Sequence, residues 1–156
     1  MLYVYEFEVF KSEHFFIAVP FDFLGATQGE DERDIAKMAA DWLKLEIEHR
    51  LIGNREIPES SFGNKPQKGG YLMVVAIEAG IDTINAVPAH EAAEILGVSR
   101  GRVSQMISMQ YLMSFKKGRD VYVTIDSINA RLQESPKAGR PKAGDPKAGS
   151  MTKAIT

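Results

Sequence analysis

The chain has 156 residues, 44% hydrophobic and 26% charged, a composition that fits one globular domain or two small ones. It contains no cysteine, which excludes a disulfide framework and a thiolate metal site and leaves the cytoplasm as the expected location. The N-terminal MLYVYEFEVF has neither the basic start nor the cleavage site of a secretory leader, and no apolar run approaches the roughly 20 residues that span a bilayer, so no membrane association is expected. The net charge of -2 conceals an asymmetry. Residues 1–80 carry 8 Lys and Arg against 14 Asp and Glu, a net of -6, whereas residues 81–156 carry 11 against 7, a net of +4. Two halves of opposite sign point to different partners, the basic half suiting a polyanion.

Residues 2–10 alternate, with Tyr3, Tyr5, Phe7 and Val9 on one face and Glu6 and Glu8 on the other, the period of a half-buried strand. The two glutamates are expected on a solvated face. After a polar Lys11-Ser12-Glu13-His14, the aromatic and β-branched FFIAV of 15–19 predicts the second strand of a hairpin, closed by Pro20. From Glu30 to Ile52 there is neither Gly nor Pro. A polar stripe of Lys37, Asp41, Lys44 and Glu48 at helical spacing leaves Ile35, Met38, Ala39, Trp42, Leu43 and Ile47 on an apolar face that would lie on a sheet. Residues 53–70 predict a loop, and YLMVVAI at 71–77 a further strand. The order β-β-(short β)-α-β describes a small α+β domain at 1–79.

The second half changes period. Residues 88–96 and 99–110 predict two short helices, then YLMSF and VYVTI flank KKGRD as a hairpin, and a final helix runs from an N-capping Asp126 to Gln133. This second domain is placed at 81–134. The tail, 135–156, repeats PKAGR, PKAGD and PKAGS, a low-complexity basic segment too poor in apolar residues to bury a core and expected to be flexible.

Within 88–108 the requirements of a helix-turn-helix are met. Pro88 stands at the expected first helical position, Ala93 is small where helices cross, and Gly97 suits a left-handed turn. Ser99 is an N-cap, while Ala92, Leu96, Val98, Val103 and Met106 supply apolar contacts. The outward residues of the second helix, Arg100, Arg102, Ser104, Gln105 and Ser108, include no acid. Arg pairs with guanine and Gln with adenine through two hydrogen bonds each, and Ser reaches a base edge or a phosphate. Lys116, Lys117 and Arg119 put three cations at the hairpin tip, suited to the phosphate backbone. The DNA-contacting set is therefore Ser99, Arg100, Arg102, Ser104, Gln105, Ser108, Lys116, Lys117 and Arg119, and the expected partner is double-stranded DNA. Because one short reading helix buries little surface, a homodimer or larger assembly is expected.

Two resemblances follow from these residues. AAEILGVSRGRVSQMI followed by GRDVYVTIDSI resembles the winged helix-turn-helix of the excisionase and MerR-like group, which implies that fold and DNA binding. FDFLGATQGEDERDIAKMA, with Asp22, Gly25, Thr27, Gln28, Gly29 and Asp34, together with IPES at 57–60, resembles the HicB antitoxin domain, a shortened ribonuclease H-like fold. Leu24, Ala26 and Ile35 depart from the residues usual in that pattern, as do Glu59 and Ser60. The resemblance implies a type II antitoxin whose first domain neutralises a small basic ribonuclease toxin of the HicA kind and whose second represses their shared operon. An acidic first half suits a basic partner; the residues that would hold it are not identified by the sequence. The alternative is a free-standing transcription regulator or phage-type repressor whose first domain oligomerises or senses a ligand.

No enzymatic reading gathers support. Glu6 and Glu8 lack the further carboxylates that ribonuclease H chemistry brings to Mg²⁺, and His14, His49 and His90 are isolated surface residues in a hairpin, on a helix flank and in a first helical turn. There is no P-loop, nucleophile elbow or dinucleotide fingerprint. A non-enzymatic protein without metal or cofactor is expected.

Overall fold

β1 (Leu2–Lys11) runs through the middle of a four-stranded antiparallel sheet, in the order β3-β2-β1-β4, with β2 at Phe16–Pro20, β3 at Thr27–Gly29 and β4 at Tyr71–Glu78. The structure is a computed structural model describing residues 1–134; the expectation of a flexible tail at 135–156 lies outside the described residues. α1 (Glu32–Ile52) lies on one face of this sheet. The alternation of β1 puts Tyr5, Phe7 and Val9 into the core, where Ile35, Ala39, Leu43 and Ile47 of α1 meet them at the helical spacing the sequence carries. The helix begins two residues later than expected because the Asp31 carboxylate accepts the Asp34 N–H at 2.8 Å and caps it. Trp42 is half-buried, edge-on to Phe7 and Phe23, whereas Met38, expected on the apolar face, is 37% exposed.

Two expectations for this unit are corrected. Glu48, placed on the polar stripe, is 7% exposed and accepts the Thr83 hydroxyl at 3.0 Å, because the single 3₁₀ turn Ile81–Thr83 folds back over the end of α1. Glu6 and Glu8, placed on a solvated face, are 6% and 3% exposed. The loop before β4 folds across them, and its backbone N–H groups end on their carboxylates. Gly63 and Asn64 donate to Glu6 at 2.9 Å each; Gln67 and Lys68 donate to Glu8 at 2.7 Å each, with Gly70 at 3.2 Å. Strand alternation reports which face a side chain takes, not whether a distant loop covers that face.

The motif residues of the first half serve this same packing. Asp22 accepts the Ser61 hydroxyl at 2.6 Å and its N–H at 3.0 Å, Asp34 accepts the Glu30 N–H at 2.8 Å, and the Tyr5 hydroxyl donates to the Pro58 carbonyl. Gly29 lies so close to the first turn of α1 that a Cβ there would stand 2.5 Å from the Ile35 nitrogen.

The chain divides into two compact units, Met1–Ile84 and the part beginning at Asn85. In the second unit, β5 (Ala86–Pro88), β6 (Ser114–Lys117) and β7 (Asp120–Thr124) form a three-stranded antiparallel sheet in the order β5-β7-β6. α2 (Ala89–Leu96), α3 (Arg100–Ser108) and α4 (Ile125–Glu134) pack with it around Ala92, Ala93, Val103, Met106, Leu112, Val123 and Ile128. The molecule is thus α+β, with antiparallel sheets and segregated helices. β5 was not expected. It pairs with β7 through Val87 and Val123, so Pro88 ends a strand with an extended ψ of 152° and caps α2 instead of occupying its first turn. Asp126 is likewise inside α4; Thr124 supplies the capping hydroxyl, accepting the Ser127 N–H at 3.3 Å.

Candidate nucleic-acid interface

α2 and α3 are joined by a turn of three residues, and each has a chemical cause. Gly97 closes α2 in the left-handed conformation, φ 65° and ψ 35°, which glycine adopts without a Cβ penalty. Its N–H returns to Ala93 and Glu94, and Val98 follows by donating to the Ala93 carbonyl at 3.0 Å. Ser99 then starts α3: its hydroxyl accepts the Arg102 N–H at 3.1 Å. Ala92 and Ala93 present little bulk to Val103 and Met106, which are 1% and 3% exposed and hold α3 by its inner stripe. The outer side of α3 is thereby fixed by packing, not by the residues it displays.

Arg100, Arg102, Ser104, Gln105 and Ser108 are all exposed, and so is Ser99 at the cap. They do not form one stripe. Arg100, Ser104 and Ser108, spaced by four, line the groove between α3 and the β6–β7 hairpin. Arg102 and Gln105, spaced by three, lie on a neighbouring stripe and pair with each other, the Arg102 guanidinium donating to Gln105 Oε1 at 3.2 Å. Gln105 Oε1 is engaged by that bond, while its amide nitrogen is still able to donate. The Ser108 hydroxyl donates to the Ser104 carbonyl at 3.1 Å.

The groove has two adjoining parts, of 380 and 460 Å³, sharing Ala89, Ser104 and Val121. The first is lined additionally by Pro88, His90, Arg100 and Asp120, the second by Ile107, Ser108, Ser114, Phe115 and Lys116. Lys117 pairs with Asp120 in the ladder, so Gly118 and Arg119 are the two loop residues, and Gly118 takes the φ of 65° that a two-residue hairpin turn demands at its first position. Lys116, Lys117 and Arg119 are exposed at this tip. Phe115 and Tyr122 stack across the strands at 5.9 Å and stiffen the hairpin that carries them.

His90 and Asp120 were not expected here. His90 enters because β5 pairs with β7 and draws the first turn of α2 to the hairpin; Asp120 enters because the turn register puts it opposite Lys117. Neither placement has a local sequence signal. Charge in this unit is segregated rather than in excess. Residues 85–134 hold six Lys and Arg against five Asp and Glu. Five of the six cations lie on α3 and the hairpin, while four of the five acids lie on α2 and α4, Asp120 being the exception. The basic surplus of the second half comes from 135–156, with five cations against one acid.

In the first unit the electrostatics are those of an anchored loop. The amides of Gly63 and Asn64, with the Asn64 side chain, hold the Glu6 carboxyl below the usual carboxylate range. Burial pushes Glu8 upward, but the amides of Gln67, Lys68 and Gly70 and the Lys68 charge outweigh it and leave Glu8 lowered as well. Among the described residues there is no group of three or more His, Cys, Asp or Glu placed to hold a metal ion, and no helix is long and apolar enough to cross a membrane.

No family model matches the chain, and no curated protein matches its sequence. Among solved structures, a chain from a structure described as a toxin-antitoxin complex from Streptococcus pneumoniae is similar at 16% identity and a TM-score of 0.46, over 70% of this chain and 99% of that one.

Proposed function

We propose that the protein is a non-enzymatic DNA-binding antitoxin. In this reading the second unit is a winged helix-turn-helix that recognises its own operator, and the first holds a small basic ribonuclease toxin. The observation that carries it is α3, with its inner stripe locked by Val103 and Met106 and an acid-free outer side beside a hairpin tip bearing Lys116, Lys117 and Arg119. α3 would enter the major groove with Arg100 in its first turn, the position from which side chains reach base edges. The hairpin would meet the flanking phosphates. The toxin-holding role of the first unit draws on the likeness of its motif residues to the HicB domain and on its acidic surplus, which suits an RNA-binding and therefore basic partner.

The test compares Arg100→Ala with Arg119→Ala on the duplex upstream of the protein's own gene and on a scrambled duplex, across a salt series. Arg100→Ala should cost about 1–3 kcal/mol on the operator and leave the scrambled duplex nearly unchanged. Arg119→Ala should weaken both similarly and reduce the log-log salt slope by about one unit. Equal losses for Arg100→Ala on both duplexes, or none, would remove α3 from the role of base reader. For the toxin, full-length protein is used to capture the product of any small basic reading frame beside the gene. Capture that protects RNA from that product supports the antitoxin role, and its failure leaves the DNA reading standing as that of a free-standing regulator.

A further inference from the structure

The sheet of the first unit ends differently on its two sides. At one edge β3 has three residues; at the other β4 has eight, paired with β1 over eight consecutive positions without a bulge. Among the described residues, no backbone hydrogen bond outside the sheet reaches Tyr71–Glu78, so the outward row of N–H and C=O groups on β4 is open. Proteins blunt such edges with a proline, an inward or edge lysine, a bulge or a short strand. YLMVVAIE has none of these, and it is apolar on both faces. Val75 and Ile77 belong to the core under α1, while Leu72, Val74 and Ala76 on the opposite face are exposed, Val74 by 60%.

We propose that β4 is the seam of a homodimer, pairing antiparallel with β4 of a second copy about a two-fold axis at Val74 and joining two four-stranded sheets into one. The occupant is a second copy because the edge complements itself on reversal. With Val74 opposite Val74, Leu72 falls opposite Ala76, so the apolar outer face continues across the seam. The same register puts Glu78 opposite Gly70 and diagonal to Lys68 of the other copy. Both charges stand on the outer face: Glu78 pairs with Leu2, and the Lys68 ammonium is held 5.3 Å over the Phe10 ring on that side. A parallel seam would instead set Glu78 beside Glu78.

The inference rests on the first unit alone, and Val74 is not among the residues proposed to contact DNA. Light scattering on the full chain over a concentration series tests it, with Val74→Lys and Val74→Glu. Because Val74 is exposed, both variants should fold cooperatively, melting below the wild type by the stabilisation the second copy supplies, and Val74→Glu lower than Val74→Lys because Val74 stands opposite Glu6. Each alone should have half the wild-type mass, since like charges meet at the axis, and an equimolar mixture should regain the full mass because Lys then faces Glu. A wild-type monomer, an unchanged mass for Val74→Lys, or a mixture that stays at half mass overturns the proposal; the first is also the result expected if a strand of another protein occupies the edge. Should a variant unfold, hydrogen exchange on the wild type decides. Alternate amides of β4 should gain protection as concentration rises, and concentration-independent exchange there overturns the seam.

Discussion

Glu6 and Glu8 show how much of the first unit depends on two carboxylates. Each stands on the sheet face away from α1 and collects backbone N–H groups from a loop some sixty positions away, which favour the ionised form because both of its oxygens accept and neither has a proton to place. Their folded values lie below the ordinary glutamate value, so the stabilisation they supply is present above that value and is lost as pH falls through the lower, folded one. The melting temperature should therefore fall as pH drops below the ordinary glutamate range. The double variant Glu6→Gln, Glu8→Gln should melt lower at neutral pH and show a flatter acid limb. An acid limb of wild-type steepness in that variant would mean that other carboxylates govern it. The pairing of Arg102 with Gln105 makes a second point at this scale: Gln105→Ala frees the guanidinium as well as removing an amide, so its effect on the proposed DNA binding would read two side chains and not one.

At the level of elements, the junction of α2 and α3 is governed by two small features. Ser99→Ala removes the cap on α3 and should cost about 1 kcal/mol. Gly97→Ala meets open space, with nothing within 4 Å of an added Cβ, so only the left-handed backbone opposes it, again at roughly 1 kcal/mol. Thermal unfolding with both single variants and the double variant checks the two values, and a loss well above these figures for Gly97→Ala would mean that packing, not backbone conformation, selects the glycine. Gly70→Ala should be far worse. Its Cβ would lie 2.1 Å from the Val9 carbonyl oxygen and push the loop off Glu8.

For the whole molecule, the two units carry separate hydrophobic clusters and their elements do not share a sheet. Residues 1–84 and 85–156 expressed separately should each unfold cooperatively, and only the second should bind the operator. Failure of either fragment to fold would tie its core to the other half. Because residues 85–134 are nearly balanced in charge and 135–156 carry five cations against one acid, removing 135–156 should weaken operator and scrambled duplex alike and lower the salt slope. A loss confined to the operator would give the tail a sequence-reading role instead.

What the sequence by itself determined is whatever depends on neighbours along the chain. Alternation in β1 placed Tyr5, Phe7 and Val9 inside; helical spacing placed Ile35, Ala39, Leu43 and Ile47; Gly97 and Ser99 marked the turn and cap before α3; Gly118 marked the hairpin. The outward residues of α3 were legible for the same reason, since the helix period that buries Val103 and Met106 exposes Arg102, Ser104 and Gln105. Only the tertiary structure decided the burial of Glu6 and Glu8 under residues 61–70, the use of Glu48 by Thr83, the strand made of Ala86–Pro88, and the arrival of His90 and Asp120 beside Arg100. The physical reason is common to all four: each depends on partners far away in the chain. A local period states which way a side chain points, whereas a loop crossing a sheet, an edge strand joining one or a hydroxyl reaching a distant carboxylate is selected by hydrogen-bond groups that must find such partners, and that demand leaves no periodic trace.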